Sequence, residues 1–327
     1  MWLGLGAAAL LLATPSAAPP PPPVVGLHVP WAAGGLHRLP DGSLTDEPEP
    51  WPNVSVPAVR LWDTRTTWAD IEPVNGAWSF AHLDRHVEVA NSHGTHDILL
   101  VLGGTPAWAA RDPQAPHPSY LPSGISSPAA DLSEWREYVA TVAERYRGRI
   151  TTYQIGNEPN QPMYWSGRPR DLTRATTIAA EVIHELDPAA LVIGAGPVVT
   201  DAASVVVAAR WWAALRDVPL DAVALQWYPR PGTDPDELVA IIQTLRRILR
   251  AHDVRERPIW LTEVNHQTHR STRPSTLVTQ TVAAARVARV SRIYWYAWSE
   301  LVSPALLPLG ATTPAGRALA RTMRSLP

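Results

Sequence analysis

Short runs of β-branched and other apolar residues alternate with longer amphipathic stretches along most of the chain. Turn-forming residues lie at the ends of the short runs, and apolar residues recur at helical spacing in the longer stretches. The short runs predict eight strands, at residues 24–29, 58–62, 97–102, 150–155, 191–195, 222–227, 259–262 and 292–297. The longer stretches predict seven helices, at residues 83–92, 133–146, 172–186, 203–216, 236–251, 276–290 and 315–326.

Strands that alternate with helices pair in parallel, because each helix carries the chain back across the sheet. Eight such units fit an α/β fold, a (β/α)8 TIM barrel that forms a single domain over residues 24–327 without an accessory β-sandwich. Residues 30–57 are rich in Pro and Gly and show no long helix, so the first unit is irregular. A doubly wound open sheet is the alternative, but Gly103-Gly104-Thr105-Pro106 lacks the spacing of a phosphate-binding fingerprint.

An uncharged apolar run at residues 2–13 has the length of a signal peptide and is too short to span a bilayer comfortably. Small residues follow it, and then five prolines. We therefore expect a signal peptide at residues 1–18, a Pro-rich spacer at 19–23, and a secreted or extracytoplasmic (cell-envelope) protein without stable membrane insertion after cleavage. An uncleaved membrane anchor is the alternative, since no Lys or Arg precedes the apolar run.

The composition excludes several kinds of chemistry. The chain has 327 residues and no Cys, so it can form neither a disulfide nor a thiolate nucleophile. Its net charge of −2 gives no basic surplus for nucleic acid or anionic membranes. We expect a monomer without cofactor or metal. The 15 Trp residues are an unusually large number, and Trp rings often stack on flat ligand faces.

Two glutamates follow strands that stand on opposing walls of an eight-stranded barrel. Glu158 lies in an Asn-Glu-Pro segment after the fourth predicted strand, and Glu263 follows the seventh. Barrel enzymes work at the carboxyl ends of their strands, so the two side chains can converge across the mouth. Hydrolysis of a glycosidic bond needs such a pair, one carboxyl to protonate the leaving oxygen and one to attack or stabilise the anomeric carbon.

Several motifs, in this order, resemble those of the clan A glycoside hydrolases, most of all family 39 and its relatives, with family 5 second. They are Val-Arg-Leu-Trp-Asp at 59–63, Thr-Trp-Ala-Asp-Ile-Glu-Pro-Val-Asn-Gly at 67–76, Thr-Pro-Ala-Trp-Ala at 105–109, Gly-Asn-Glu-Pro at 156–159 and Thr-Glu at 262–263. The resemblance implies a retaining barrel enzyme that cleaves O-glycosidic bonds of a β-linked oligo- or polysaccharide.

The resemblance also implies roles for individual residues. Glu158 would be the general acid and then the general base, and Glu263 the nucleophile. Asn157 would bind the 2-hydroxyl group of the sugar. Arg60 would lie beneath Glu263 and keep it ionised, and Tyr228 would donate a hydrogen bond to it.

The chain departs from the clan at Gln226, where many members have His, which puts one hydrogen bond of the catalytic subsite in doubt. Trp298 would form the floor of that subsite, and Trp108 and Trp165 are further candidates for substrate binding. Trp260 and Trp295 have the opposite parity to their inward neighbours, so we expect them to pack against helices.

Two other functions remain open at this point. A non-catalytic carbohydrate-binding barrel could keep the same shape, although the presence of both glutamates argues against it. A metal-dependent hydrolase is disfavoured because the chain has no His-Glu-x-x-His segment. The sugar, the linkage and the choice between endo and exo cleavage depend on loop shape, which the residue pattern does not specify.

Overall fold

All eight predicted strands are present in a computed structural model that describes residues 20–35, 37–38, 43–267, 273–299 and 306–326. The predicted signal peptide lies outside the described residues. The strands are β1 (Val24–Leu27), β2 (His37–Arg38), β3 (Leu44–Thr45), β4 (Ala58–Leu61), β5 (Asp97–Leu102), β6 (Thr152–Ile155), β7 (Leu191–Gly194), β8 (Val198–Val199), β9 (Val223–Trp227), β10 (Ile259–Val264) and β11 (Val290–Trp295). The helices are α1 (Trp68–Ile71), α2 (Ala81–Ser92), α3 (Leu132–Arg145), α4 (Pro169–Leu186), α5 (Ala202–Ala214), α6 (Glu237–Ala251), α7 (Pro274–Val287) and α8 (Pro314–Ser325).

Nine of the strands form one parallel sheet that curls into a barrel. Its order is β7-β6-β5-β4-β1-β11-β10-β9-β8. A parallel bridge between Ile193 of β7 and Ala222, just before β9, joins the two sides of this sheet. Around this closed sheet the strands follow one another in chain order, and β1 pairs with the last strand, β11, whereas an open doubly wound sheet keeps two free edges. The predicted TIM barrel is therefore confirmed.

The helices begin where the sequence supplies caps and prolines. Asp131 accepts a hydrogen bond from the Ser133 backbone N–H at 2.8 Å and starts α3. α4, α7 and α8 each begin with Pro, whose missing N–H costs nothing at the first helical position. As predicted, the segment after β1 contains no helix among its described residues, and it carries the short antiparallel pair of β2 and β3 instead.

Inward-pointing side chains fill the barrel and form a cluster separate from the core between sheet and helices. This inner cluster comprises Ala58, Trp62, Leu99, Val101, Ile193, Ala222, Ala224, Trp260 and Tyr294. Trp295 belongs to the outer core, as expected. The prediction for Trp260 was wrong. β10 changes register between Leu261 and Glu263, and this irregularity lets Trp260 and Glu263 both point inward.

Gly26 lets β1 pass close to the ring of Tyr294. A Cβ atom at position 26 would lie 2.6 Å from Tyr294 Cδ1 and 2.8 Å from the Ala58 carbonyl oxygen. Because the ring and the neighbouring strand leave little room to shift, Gly26→Ala is expected to lower the free energy of unfolding by about 1–3 kcal/mol. Urea unfolding followed by Trp fluorescence measures this loss. Unchanged or increased stability would show that the barrel interior is loosely packed here.

Candidate active site

Glu263, on β10, is held by three side chains, one from β4 and two from the end of β9 and the residue that follows it. Arg60 Nη1 donates to its Oε1 at 2.6 Å, and the Tyr228 hydroxyl donates to its Oε2 at 2.7 Å. Gln226 Nε2 lies 3.3 Å from Oε1. These donors fix the position of the carboxylate and favour its ionised form.

Arg60 connects the residues beneath the mouth of the barrel. It is completely buried, at the centre of β4. Besides Glu263, its guanidinium donates to Asn157 Oδ1 at 2.8 Å and to Gln154 Oε1 at 3.1 Å, and it lies 3.3 Å from His28 Nε2. Asn157 Oδ1 also accepts from Gln226 Nε2 at 2.6 Å. Gln226 thus makes hydrogen bonds to both Asn157 and Glu263, at the position where the clan often has His.

The backbone after β6 directs two consecutive side chains to the same place. Regular strand alternation would point Asn157 and Glu158 to opposite faces. Gly156 and Glu158 both adopt left-handed backbone conformations, with φ of 80° and 37°, which interrupts the alternation. For a glutamate this conformation costs about 1–3 kcal/mol, and strain of this kind concentrates at functional sites.

The two carboxyls differ in their surroundings. Burial raises the pKa of Glu158 well above its ordinary value, and the charge of Glu263 raises it further against the opposing effect of Arg60. Burial also raises the pKa of Glu263, but Arg60 and the Tyr228 hydroxyl act in the other direction. Of the two, Glu158 is therefore the group that keeps its proton, and Glu263 is the one that ionises first.

Both glutamates line one cavity of about 370 Å³ at the carboxyl ends of the strands. Its other described lining residues are Pro30, Trp31, Trp62, Asp63, Tyr120, Asn157, Tyr164, Tyr228, Tyr296, Ala297, Ser299 and Leu306. Both aromatic rings and carboxyl groups line this space, which suits the apolar faces and hydroxyl edges of a sugar ring.

Comparison with known proteins agrees with this geometry. The model of glycosyl hydrolase family 10 matches residues 62–184, a segment that contains Asn157 and Glu158 and ends before Glu263. The fold is similar to that of three solved enzymes: a glucosidase from Croceicoccus marinus, a GH39 β-xylosidase from Caulobacter crescentus and xylanase 10B from Thermotoga maritima. Comparison of the sequence with curated proteins finds no significant match.

The structural similarity extends over most of this chain at low sequence identity. The glucosidase is 16% identical with a TM-score of 0.65, over 94% of this chain and 69% of that one. The β-xylosidase is 16% identical with a TM-score of 0.63, over 82% and 64%. The xylanase is 16% identical with a TM-score of 0.58, over 82% and 86%. The chain is thus similar to glycoside hydrolases of families 10 and 39. Family 39 is among its similar structures, as the motifs indicate, and the partial match to family 10 was not foreseen.

Three tryptophans expected in the site do not line the main cavity. Trp298 packs in the outer core, because β11 ends at Trp295 and strand alternation does not continue to residue 298. Trp108 packs edge-on against Trp68 and donates to the Glu72 carbonyl oxygen at 2.9 Å. Trp165 lines a smaller neighbouring cavity of about 50 Å³ that shares Trp62, Asn157 and Tyr164 with the main one.

Sequence reasoning missed other residues of the site. Asp63 and Trp31 line the cavity, and the Tyr296 hydroxyl donates to Asp63 Oδ2. His28 lies under the site, and its pKa is well below the ordinary value because of burial and the charge of Arg60. Asp63 follows directly after a predicted barrel strand, which is the signal that could have identified it.

The described part of the chain gives two further results. No group of three or more His, Cys, Asp or Glu side chains there is arranged to hold a metal ion. None of its helices is long and apolar enough to cross a membrane.

Proposed function

We propose that the protein hydrolyses β-linked oligo- or polysaccharides of neutral sugars with retention of configuration, with β-xylosides the first substrates to test. The observation that supports this most is the pair of unlike carboxyls in one cavity, Glu263 held by cationic and hydroxyl donors and Glu158 held by none of the described residues. The similar β-xylosidase and xylanase support the choice of sugar.

In the first step, the ionised Glu263 carboxylate attacks the anomeric carbon while the protonated Glu158 donates its proton to the leaving oxygen. The bond to the leaving group breaks as the bond to Glu263 forms. Arg60 and Tyr228 hold the attacking carboxylate in place. The two hydrogen bonds accepted by Asn157 Oδ1 orient its amide and leave Nδ2 to donate to a sugar hydroxyl.

In the second step, the glycosyl ester at Glu263 is hydrolysed. Once Glu263 is esterified it carries no charge, so one of the causes that raise the pKa of Glu158 disappears. Glu158, which has just lost its proton, then acts as the base that activates water on the same face of the sugar. The same environment thus allows one residue to serve as acid and as base.

Replacing Glu158 with Gln tests this assignment. The variant is expected to lose about 10²–10⁴-fold in kcat/KM on substrates with poor leaving groups and much less on 2,4-dinitrophenyl glycosides, whose leaving group needs no proton. The wild type loses activity as pH rises through the pKa of Glu158, and the variant should lack this basic limb. Steady-state kinetics over a pH series with both kinds of substrate measure these effects.

Equal losses on both substrates, or an unchanged basic limb, would contradict the acid role of Glu158. Conservative replacement of Glu144, an exposed residue of α3, by Gln is the matched control and should leave the kinetics unchanged. A wild type that binds but cleaves no glycan on a broad panel would favour the carbohydrate-binding barrel instead.

Export to the cell envelope or the medium is a further part of the proposal, and the apolar run at residues 2–13 supports it. Fractionation of cells that express the full chain, with mass spectrometry of the mature N-terminus, tests it. Cleavage near residue 18 is expected, and a cytoplasmic full-length protein would contradict export.

A further inference from the structure

The cavity has an uneven distribution of charged groups. Three of its described lining residues, Asp63, Glu158 and Glu263, carry carboxyls, and none is Arg, Lys or His. Arg60 lies beneath, fully buried, and donates to Glu263, Asn157 and Gln154. With Glu158 protonated, two carboxylates and one buried guanidinium remain, so the described lining residues offer no cation to a negatively charged sugar.

Asp63 is the carboxyl that the two-step mechanism does not use. It follows Trp62 at the end of β4, and the Tyr296 hydroxyl donates to its Oδ2. Tyr296 is in turn set edge-on against His28, with ring centroids 5.0 Å apart. Burial raises the pKa of Asp63, whereas the Tyr296 hydrogen bond and Arg60 lower it. The hydrogen bond from the Tyr296 hydroxyl therefore fixes the position of the aspartate.

Asp63 is also close enough to act on the catalytic carboxylate. Its negative charge raises the pKa of Glu263, and it shares the cavity wall with both glutamates. A sugar whose anomeric carbon reaches Glu263 occupies the cavity that Asp63 also lines. A carboxylate accepts strong hydrogen bonds from hydroxyl groups, and it repels another carboxylate that has no cation beside it.

We propose that Asp63, oriented by Tyr296, binds a hydroxyl group of the sugar in the catalytic subsite and makes the site selective for neutral sugars over uronic acids. The inference rests on the proposed hydrolytic function and names the residue that restricts its substrate class. Asp63 takes no part in bond making or breaking. Its role is therefore to determine specificity and not to catalyse the reaction. A uronic acid would bring a second carboxylate against it.

The test compares wild type, Asp63→Asn and Asp217→Asn on the 4-nitrophenyl β-glycosides of xylose, glucose and glucuronic acid. Asp217 is an exposed carboxyl outside the cavity, with 88% of its side chain accessible, so its replacement removes the same charge elsewhere. Asp63→Asn should lower kcat/KM on the preferred neutral glycoside and reduce the neutral-to-glucuronide selectivity at least about tenfold, since like-charge contacts cost several kcal/mol. Asp217→Asn should change neither value.

The effect of salt on selectivity separates an electrostatic role of Asp63 from a merely structural one, which salt would not change. Raising the ionic strength should weaken the wild-type discrimination against the glucuronide and leave that of Asp63→Asn nearly constant. A wild type that prefers the glucuronide, or an unchanged selectivity in Asp63→Asn, would overturn the inference.

A failure of the proposal for Asp63 can be distinguished from a failure of the proposed hydrolytic function. If the wild type cleaves none of these three glycosides, their hydrolysis is refuted, and titration of the intrinsic Trp fluorescence with xylobiose and with glucuronate still tests Asp63. In that case Asp63→Asn must weaken the binding of xylobiose and strengthen that of glucuronate. Equal changes for both sugars would overturn the role of Asp63.

Discussion

Glu263→Ala is expected to lower kcat/KM on an aryl β-glycoside by at least about four orders of magnitude, the loss typical when an enzyme loses its nucleophile. The variant keeps Arg60 and Tyr228 but has no group to attack the anomeric carbon. Steady-state kinetics with a chromogenic substrate measure the loss. Circular dichroism and thermal unfolding show whether the variant is folded.

Added azide provides a second result for the same variant. The shortened side chain leaves room for a small anion beside Arg60, and attack from that side would give a glycosyl azide of inverted configuration. Glu256→Ala, an exposed residue shortly before β10, is the matched control and should keep wild-type activity. If Glu263→Ala retained activity within about tenfold of wild type, the nucleophile would have to be another group.

Arg60→Met should produce the largest loss of stability, about 3–5 kcal/mol in the free energy of unfolding, because it leaves a buried carboxylate without its cation. Glu263, Asn157 and Gln154 each lose a hydrogen bond. Removing the cation also raises the pKa of Glu263 further above its unfolded value. A carboxyl with a raised pKa in the folded protein favours folding at low pH, where the carboxyl is protonated. This contribution to stability is lost as the pH rises through the pKa that Glu263 has in the folded protein.

The loss in Arg60→Met should therefore be larger at neutral pH than in acid, and urea unfolding at both values measures it. Arg136→Met is the matched control, since Arg136 pairs with Glu181 on the surface with 49% and 57% of the two side chains exposed. Arg136→Met should lower the free energy of unfolding by less than about 1 kcal/mol at either pH. If Arg60→Met lost as little stability as the control, the buried hydrogen bonds from Arg60 to Glu263, Asn157 and Gln154 would not be needed for stability.

Much of this fold could be predicted because its signals are local. β-branched runs and amphipathic stretches place all eight barrel strands, and the absence of a helix after β1 follows from the prolines and glycines there. Arg60, Asn157, Gln226 and Tyr228 could be placed near Glu263 because the motifs resemble those of the clan A glycoside hydrolases, and the hydrogen bonds of the structure agree with that placement.

The alternation of inward and outward side chains fails where a strand ends or changes register. The side chains whose direction was predicted wrongly lie at such places. The register change in β10 turned Trp260 inward, and the end of β11 left Trp298 in the outer core while Tyr296 lines the cavity. Trp31 reaches the cavity from the loop after β1, whose path depends on tertiary contacts, whereas the position of Asp63 shortly after β4 is a signal that could have identified it. A residue pattern of period two carries no information about such positions.

The central claim is that Glu263 forms a covalent bond to the sugar. A 2-deoxy-2-fluoro-β-xyloside or β-glucoside with a dinitrophenol leaving group slows the second step more than the first, so the intermediate should accumulate. Mass spectrometry of the intact protein and of its proteolytic peptides then shows where the sugar is attached. We predict stoichiometric addition of one fluorosugar on the peptide that contains Glu263. A protein that turns over the parent substrate but carries no adduct, or carries it on another residue, would contradict the account.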